Sequence, residues 1–306
     1  TGTTQRHRVS DSHYDRDGMH VTARLQFKGD PGETFTLMPF IALSQGSTPG
    51  TIQANQTSPL AQTTGSTSAS TNNDNYFAVA RLNGQWKRKL SSDSNMEWKF
   101  NVGGWNSHNQ YQQVSGNGYL LPSIQDDSRT QDRSANVSGK YTNVMGGGHQ
   151  WVSGGEVESV RRTQSTVGAY QSVAGSANYS ASSMRYAVYS QDEWQLTQHW
   201  STHVGARYEG LTTEGSTSAG DVTNRNSVFT PLLHAMWRPD PDSRDQVRMS
   251  LTRSFKTPTM PTLLARRTYT RDDNTATNPD VSGNPNLKPE TATGLDVAVE
   301  RYLRSE

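Results

Sequence analysis

Over stretches of roughly ten residues this chain alternates apolar and polar side chains with a period of two, and the pattern recurs along its length. Residues 95–104 read Asn-Met-Glu-Trp-Lys-Phe-Asn-Val-Gly-Gly. Met96, Trp98, Phe100 and Val102 fall on one face, and Glu97, Lys99 and Asn101 on the other, because successive strand side chains point to opposite sides. Each such segment is a strand with one oily face and one wet face.

A second alternation joins these segments. Period-two matching predicts about eleven strands, at 19–28, 34–44, 75–90, 95–106, 133–145, 149–162, 184–197, 200–212, 227–238, 245–256 and 290–304. Tight turns join them in pairs: Gly29-Asp30-Pro31-Gly32, Ser91–Ser94, Gly146–Gly148, Gln198-His199 and Pro239–Ser243. Between the pairs lie polar stretches at 45–74, 107–132, 163–183, 213–226 and 257–289, which read as long loops. Pro39 falls inside a strand, where a missing N–H predicts a bulge or an edge position. Trp86, Trp98, Trp151, Trp194, Trp200 and Trp237 all lie close to the short turns, as in an aromatic girdle at a membrane surface.

Composition agrees. Only 31% of the 306 residues are hydrophobic, which is thin for a soluble core of this length. A transmembrane barrel needs one apolar residue in two, on its strands alone. The mean hydropathy of -0.82 argues against helical spans without arguing against a membrane. A net charge of +1 gives no reason to invoke nucleic acid. The lack of cysteine excludes disulfides, thiolate metal sites and cysteine nucleophiles. The fold class read here is all-β: an antiparallel transmembrane β-barrel built as a meander of long hairpins. An odd strand count and a final strand without a successor predict that residues 1–306 are part of a larger barrel domain, with 1–18 a poorly patterned lead-in.

Three segments carry a family resemblance. Gly283-Asn284-Pro285-Asn286-Leu287-Lys288-Pro289-Glu290 leads into strand 291–303. Tyr189-Ser190-Gln191-Asp192-Glu193-Trp194 is followed by a turn and Gly205-Ala206-Arg207-Tyr208. Arg253-Ser254-Phe255-Lys256-Thr257-Pro258 closes another strand. In this order they resemble TonB-dependent outer-membrane receptors, closely over 185–303 and by architecture elsewhere. The resemblance implies a barrel of about 22 strands, of which this chain supplies half, together with a plug domain, a TonB-binding segment and closing strands that are absent from this sequence. It also implies a bacterial outer-membrane, non-enzymatic transporter taking up a scarce ligand, foremost a ferric siderophore, with TonB and outer-membrane lipid or lipopolysaccharide as partners. The residues alone leave open a passive porin-like channel and a soluble carbohydrate-binding β-protein.

Reactive constellations are sparse. No cofactor motif or resident metal site is expected. His199 and His203 lie about 13 Å apart along a strand, too far to ligate one ion together. Asp126-Asp127 and Asp272-Asp273 read as solvated loop acids, and no serine–histidine–acid set stands out. Polar strand faces carry Arg24, Lys28, Arg81, Lys99, Lys140, Arg185, Arg207 and Arg248. These either pair with acids in a hydrated lumen or form an electropositive funnel for an anionic ligand. The ligand candidates are Arg266, Arg267, Tyr269 and Arg271, with Tyr111, Tyr119 and Tyr170. Aromatics stack on flat ligands, and arginine grips carboxylates bidentately. Arg253 is in phase with outward-facing Val247, Met249, Leu251 and Phe255, so it either snorkels to lipid phosphates or is turned inward by a bulge.

Overall fold

The computed structural model describes residues 5–58, 63–116, 121–170, 173–217, 220–264, 267–268, 276, 279 and 281–302. One antiparallel sheet of 14 segments dominates it. In chain order these are β1 (Gln5–Ser12), β2 (Asp15–Thr22), β3 (Leu25–Lys28), β4 (Glu33–Ser47), β5 (Gly50–Ser58), β6 (Thr63–Lys89), β7 (Ser94–Ser115), β8 (Ile124–Met145), β9 (His149–Tyr170), β10 (Val173–Gln195), β11 (Trp200–Thr217), β12 (Gly220–Trp237) and β13 (Gln246–Lys256). A helical turn α1 (Met260–Leu263) and a two-strand ribbon, β14 (Arg267–Thr268) with β15 (Val281–Ser282), precede the last strand, β16 (Glu290–Glu300).

The 14 segments are eleven passes of the chain. β1, β2 and β3 lie end to end against β5 and β4, which in turn lie end to end against the single strand β6. Two prolines explain the interruptions. Pro39 accepts the Ala23 N–H at 3.2 Å, and Pro49 accepts the His13 N–H at 3.0 Å. Neither proline has an N–H to return, so the first pass loses one bond at each site and its ladder gaps at 13–14 and 23–24. Register runs on unbroken: Thr22 pairs with Phe40, Leu25 with Leu37, and Pro39 with Leu82 on the far side. Pro39 therefore makes neither a bulge nor an edge, contrary to the sequence expectation.

The short turns fall where predicted, but four of the five long loops do not exist as loops. Residues 45–74, 107–132, 163–183 and 213–226 are mostly strand, continuing the hairpins as β4–β6, β7–β8, β9–β10 and β11–β12. Among the described residues of 257–289, α1 and the β14–β15 ribbon lie off the sheet.

Apolar side chains line the outer face. Val137, Val157, Tyr186, Val188, Val204, Phe229 and Leu251 are exposed, and on β16 Leu295, Val297 and Val299 are 74%, 64% and 75% exposed. Among the described residues no second sheet packs over them. The girdle forms at the turn end: Trp200 stacks on Trp237 at 6.2 Å, and Tyr141 meets Trp151 edge-on at 6.4 Å. Trp98 lies against Gly139, where an added Cβ would stand 3.0 Å from the indole ring. Arg253 pairs with Thr293 in unbroken register beside Phe255 and Thr291, so it faces outward without a bulge. The sheet stays open, with the first pass at one edge and β16 at the other.

Candidate ligand-facing wall

The inner face is polar, and register sets its charges in rows across neighbouring strands. One row runs Lys87, Glu97, Lys140, Gly154, Tyr189, Arg207 and Thr230. Glu97 forms ion pairs with Lys99 at 3.3 Å, Lys140 at 3.5 Å and Lys87 at 4.0 Å, and accepts a hydrogen bond from Gln85. One row further out, Lys99, Ser138, Glu156, Ala187 and Glu209 stand side by side. The next carries Asn83, Asn101, Asn136, Glu158 and Arg185.

Two arginines and three glutamates interlock where these rows meet. Arg185 donates to Glu156 at 2.6 Å, Glu158 at 2.9 Å and Glu209 at 3.1 Å. Arg207 donates to Glu209 at 2.6 Å and Glu156 at 3.2 Å, with its guanidinium 5.6 Å from the Tyr189 ring centroid. Asn136 adds a donor to Glu156 at 3.0 Å. Further out, Arg162 bonds Asp132 at 2.7 Å and lies 5.3 Å from the Trp105 ring centroid. Of the eight predicted inward cations, Lys99, Lys140, Arg185 and Arg207 are thus paired with acids on their own or neighbouring strands. Arg248 is paired with Glu300 across β13 and β16. Arg24, Lys28 and Arg81 make no ion pair among the described residues. The wall is charge-compensated from β7 onward and cationic only in its first three passes.

The segment that leaves the sheet folds back onto this wall. Leu264 is buried against Tyr179, Ala181 and Met260 and also packs against Gly215. Asn224, itself buried, donates to the Pro285 carbonyl at 2.7 Å and the Leu287 carbonyl at 3.0 Å. The Asn-Pro-Asn-Leu run is thereby tied to the inner side of β12.

Only one predicted ligand residue is fully placed. Tyr111 is on β7, facing inward near its outer end, and its hydroxyl donates to Gln113 at 2.8 Å. Tyr170 ends β9 opposite Ile124 and Val173, and Arg267 pairs with Ser282, but the side chains of both lie outside the described residues. Tyr119, Arg266, Tyr269 and Arg271 lie outside them altogether, as do Asp272 and Asp273. Asp126 and Asp127 are on strand β8 instead of a loop, so they face opposite sides and cannot share an ion. Asp127 bonds His108 at 3.0 Å and Gln110 at 2.8 Å. His199 sits in a turn; His203 stacks instead on His234 across β11 and β12, with ring centroids 5.8 Å apart. Glu156, Glu158 and Glu209 were missed from sequence, since an acid's cross-strand partner is set by register over 20–50 residues.

Comparison with known families settles the kinship. The profile described as "TonB dependent receptor-like, beta-barrel" matches residues 6–305. The chain belongs to this family of bacterial outer-membrane barrels. Among solved structures, the unliganded ferric citrate transporter FecA superposes with a TM-score of 0.51 at 10% identity, over 95% of this chain and 47% of the transporter. BauA, the ferric preacinetobactin receptor of Acinetobacter baumannii, gives a TM-score of 0.51 at 10% identity, over 95% of this chain and 51% of the receptor. At such identity the likeness is one of fold. The chain spans about half the length of these two proteins. Comparison with curated protein sequences gives no significant match.

Proposed function

We propose that this barrel wall belongs to an outer-membrane receptor that imports a ferric siderophore by TonB-dependent active transport. Family membership over 6–305 carries the reading, and the two structural neighbours are a ferric citrate transporter and a ferric preacinetobactin receptor. The wall suits the task. Its charges are mostly compensated, so a large polar complex can pass along hydrated side chains without being trapped by an uncompensated field. The long outer hairpins and the segment 257–289 supply contact surface on the extracellular side, where Arg266, Arg267, Tyr269, Arg271, Tyr111, Tyr119 and Tyr170 are the proposed contacts. A plug region outside this sequence couples the barrel to TonB, and no catalytic step is involved.

The test is uptake of radiolabelled iron presented as a panel of siderophore chelates to iron-starved cells with and without the gene. One chelate is expected to lose uptake on deletion, and a proton-motive-force uncoupler is expected to abolish it. Gene-dependent uptake that survives the uncoupler would establish a passive channel instead.

A further inference from the structure

Arg133 on β8 and Arg161 on β9 stand directly opposite each other in register. Both are on the outer face, in phase with Val137 and Val157, and both are exposed. Directly opposed side chains in an antiparallel pair have Cβ atoms about 4.5–5.5 Å apart, and like charges there are destabilising. Neither arginine has an ion-pair or side-chain hydrogen-bond partner among the described residues. Their row is flanked by Gly104, which has no side chain, and by Ser182, a short exposed hydroxyl. The outward acids nearby are taken or distant: Asp127 is held by His108, Gln110 and Arg129, and Glu214 lies beyond Ser182. From β7 onward the inner face compensates its charges, whereas this outward pair sets two like charges directly opposite each other.

Its height on the strand is informative. Trp151, in the girdle at the turn end, and Arg161 are ten residues apart on the same face of β9. That separation is about 34 Å along a strand, or about 26 Å along the membrane normal at a tilt near 40°. The lipid-facing band of such barrels is about 25 Å tall. Arg133 and Arg161 therefore stand where the hydrocarbon ends and the outer-leaflet headgroups begin.

We propose that Arg133 and Arg161 together form a binding site for a phosphate group on an outer-leaflet lipid, with Ser182 as an additional donor. Two guanidinium forks closing on one phosphate convert a repulsive pair into a charge-assisted clamp. Stems lying along the apolar band carry the charges up to the headgroup level. The inference rests on the outer-membrane reading of the chain.

The experiment uses the full-length protein purified in detergent from outer-membrane fractions. Native mass spectrometry measures retention of a bisphosphorylated lipid A, its dephosphorylated counterpart, and the phosphorylated lipid in the presence of excess inorganic phosphate. The phosphorylated lipid is expected to bind preferentially, and Arg133→Gln with Arg161→Gln to weaken it roughly 30-fold, as two surface charges are removed. Arg161→Glu is expected to abolish binding while raising the unfolding temperature of lipid-free protein, since it converts repulsion into an ion pair. Equal binding of the dephosphorylated lipid, an unaffected double glutamine variant, or displacement of the lipid by inorganic phosphate would each overturn the proposal. Absence of the wild-type protein from the outer-membrane fraction would instead overturn the location on which it rests.

Discussion

Glu156 illustrates how much of the wall depends on single side chains, because it receives Arg185, Arg207 and Asn136 at once. Arg185 is the corresponding donor hub, reaching three glutamates on the two strands that flank its own, β9 and β11. Removing it leaves buried Glu209 and half-buried Glu156 and Glu158 facing one another with one arginine. Arg185→Ala is therefore expected to destabilise the barrel by about 1–3 kcal/mol, against about 0.5 kcal/mol or less for the exposed Arg129→Ala. Urea unfolding of the full-length protein in lipid vesicles measures both. Equal losses would mean that the network is a set of independent surface pairs. The inward direction of Arg185 and Arg207 was legible from period two alone. Their partners were not, because Glu158 is 27 residues from Arg185 and Glu156 is 51 from Arg207, and only strand register brings them together.

At the scale of elements, strand existence was legible and strand length was not. The predicted strand at 95–106 extends in fact from Ser94 to Ser115, and that at 133–145 begins at Ile124. The reason is solvent. Period two is visible only while one face meets lipid and the other water, as at Phe100 and Asn101. Beyond the membrane both faces are wet, so Asn106 to Gln113 alternate nothing, and a polar strand looks like a loop. The girdle tryptophans were legible because they sit at the one boundary where composition changes sharply. Pro39 was legible as a disturbance but not as to which strand would suffer, and Pro49, inside a stretch read as loop, was not legible at all. Pro39→Ala restores an N–H facing the Ala23 carbonyl and is expected to close the gap between β2 and β3. Slower hydrogen exchange at residues 22–25, with 13–14 opposite Pro49 unchanged, is the expected readout. Unchanged exchange at 22–25 would show that the gap has another cause.

For the whole molecule, the open sheet has an outer face whose apolar side chains cover no other element among the described residues, and an inner face knit by charges. Its two edges carry unpaired backbone groups, which in hydrocarbon require strand partners. The height of the lipid-facing band can be measured directly, since the chain has no native cysteine to interfere. Val137 and Gln131 both point outward on β8, on either side of Arg133. A cysteine at Val137 is expected to resist a hydrophilic maleimide in intact membranes, while one at Gln131 reacts; after denaturation both react. Labelling at both positions in membranes would place the band lower than the arginine pair.

The length of the strands has a consequence of its own. A 22-residue strand such as β9 rises about 55 Å at 3.4 Å per residue and a tilt near 40°, roughly twice the lipid-facing band. The upper half is thus a stiff collar, hydrogen-bonded strand to strand but answerable to no bilayer. Natural variation can rewrite its surface freely while insertion into the membrane, governed by the lower half, stays the same. Under the proposed function, such a division separates ligand recognition in the collar from anchoring in the band below it.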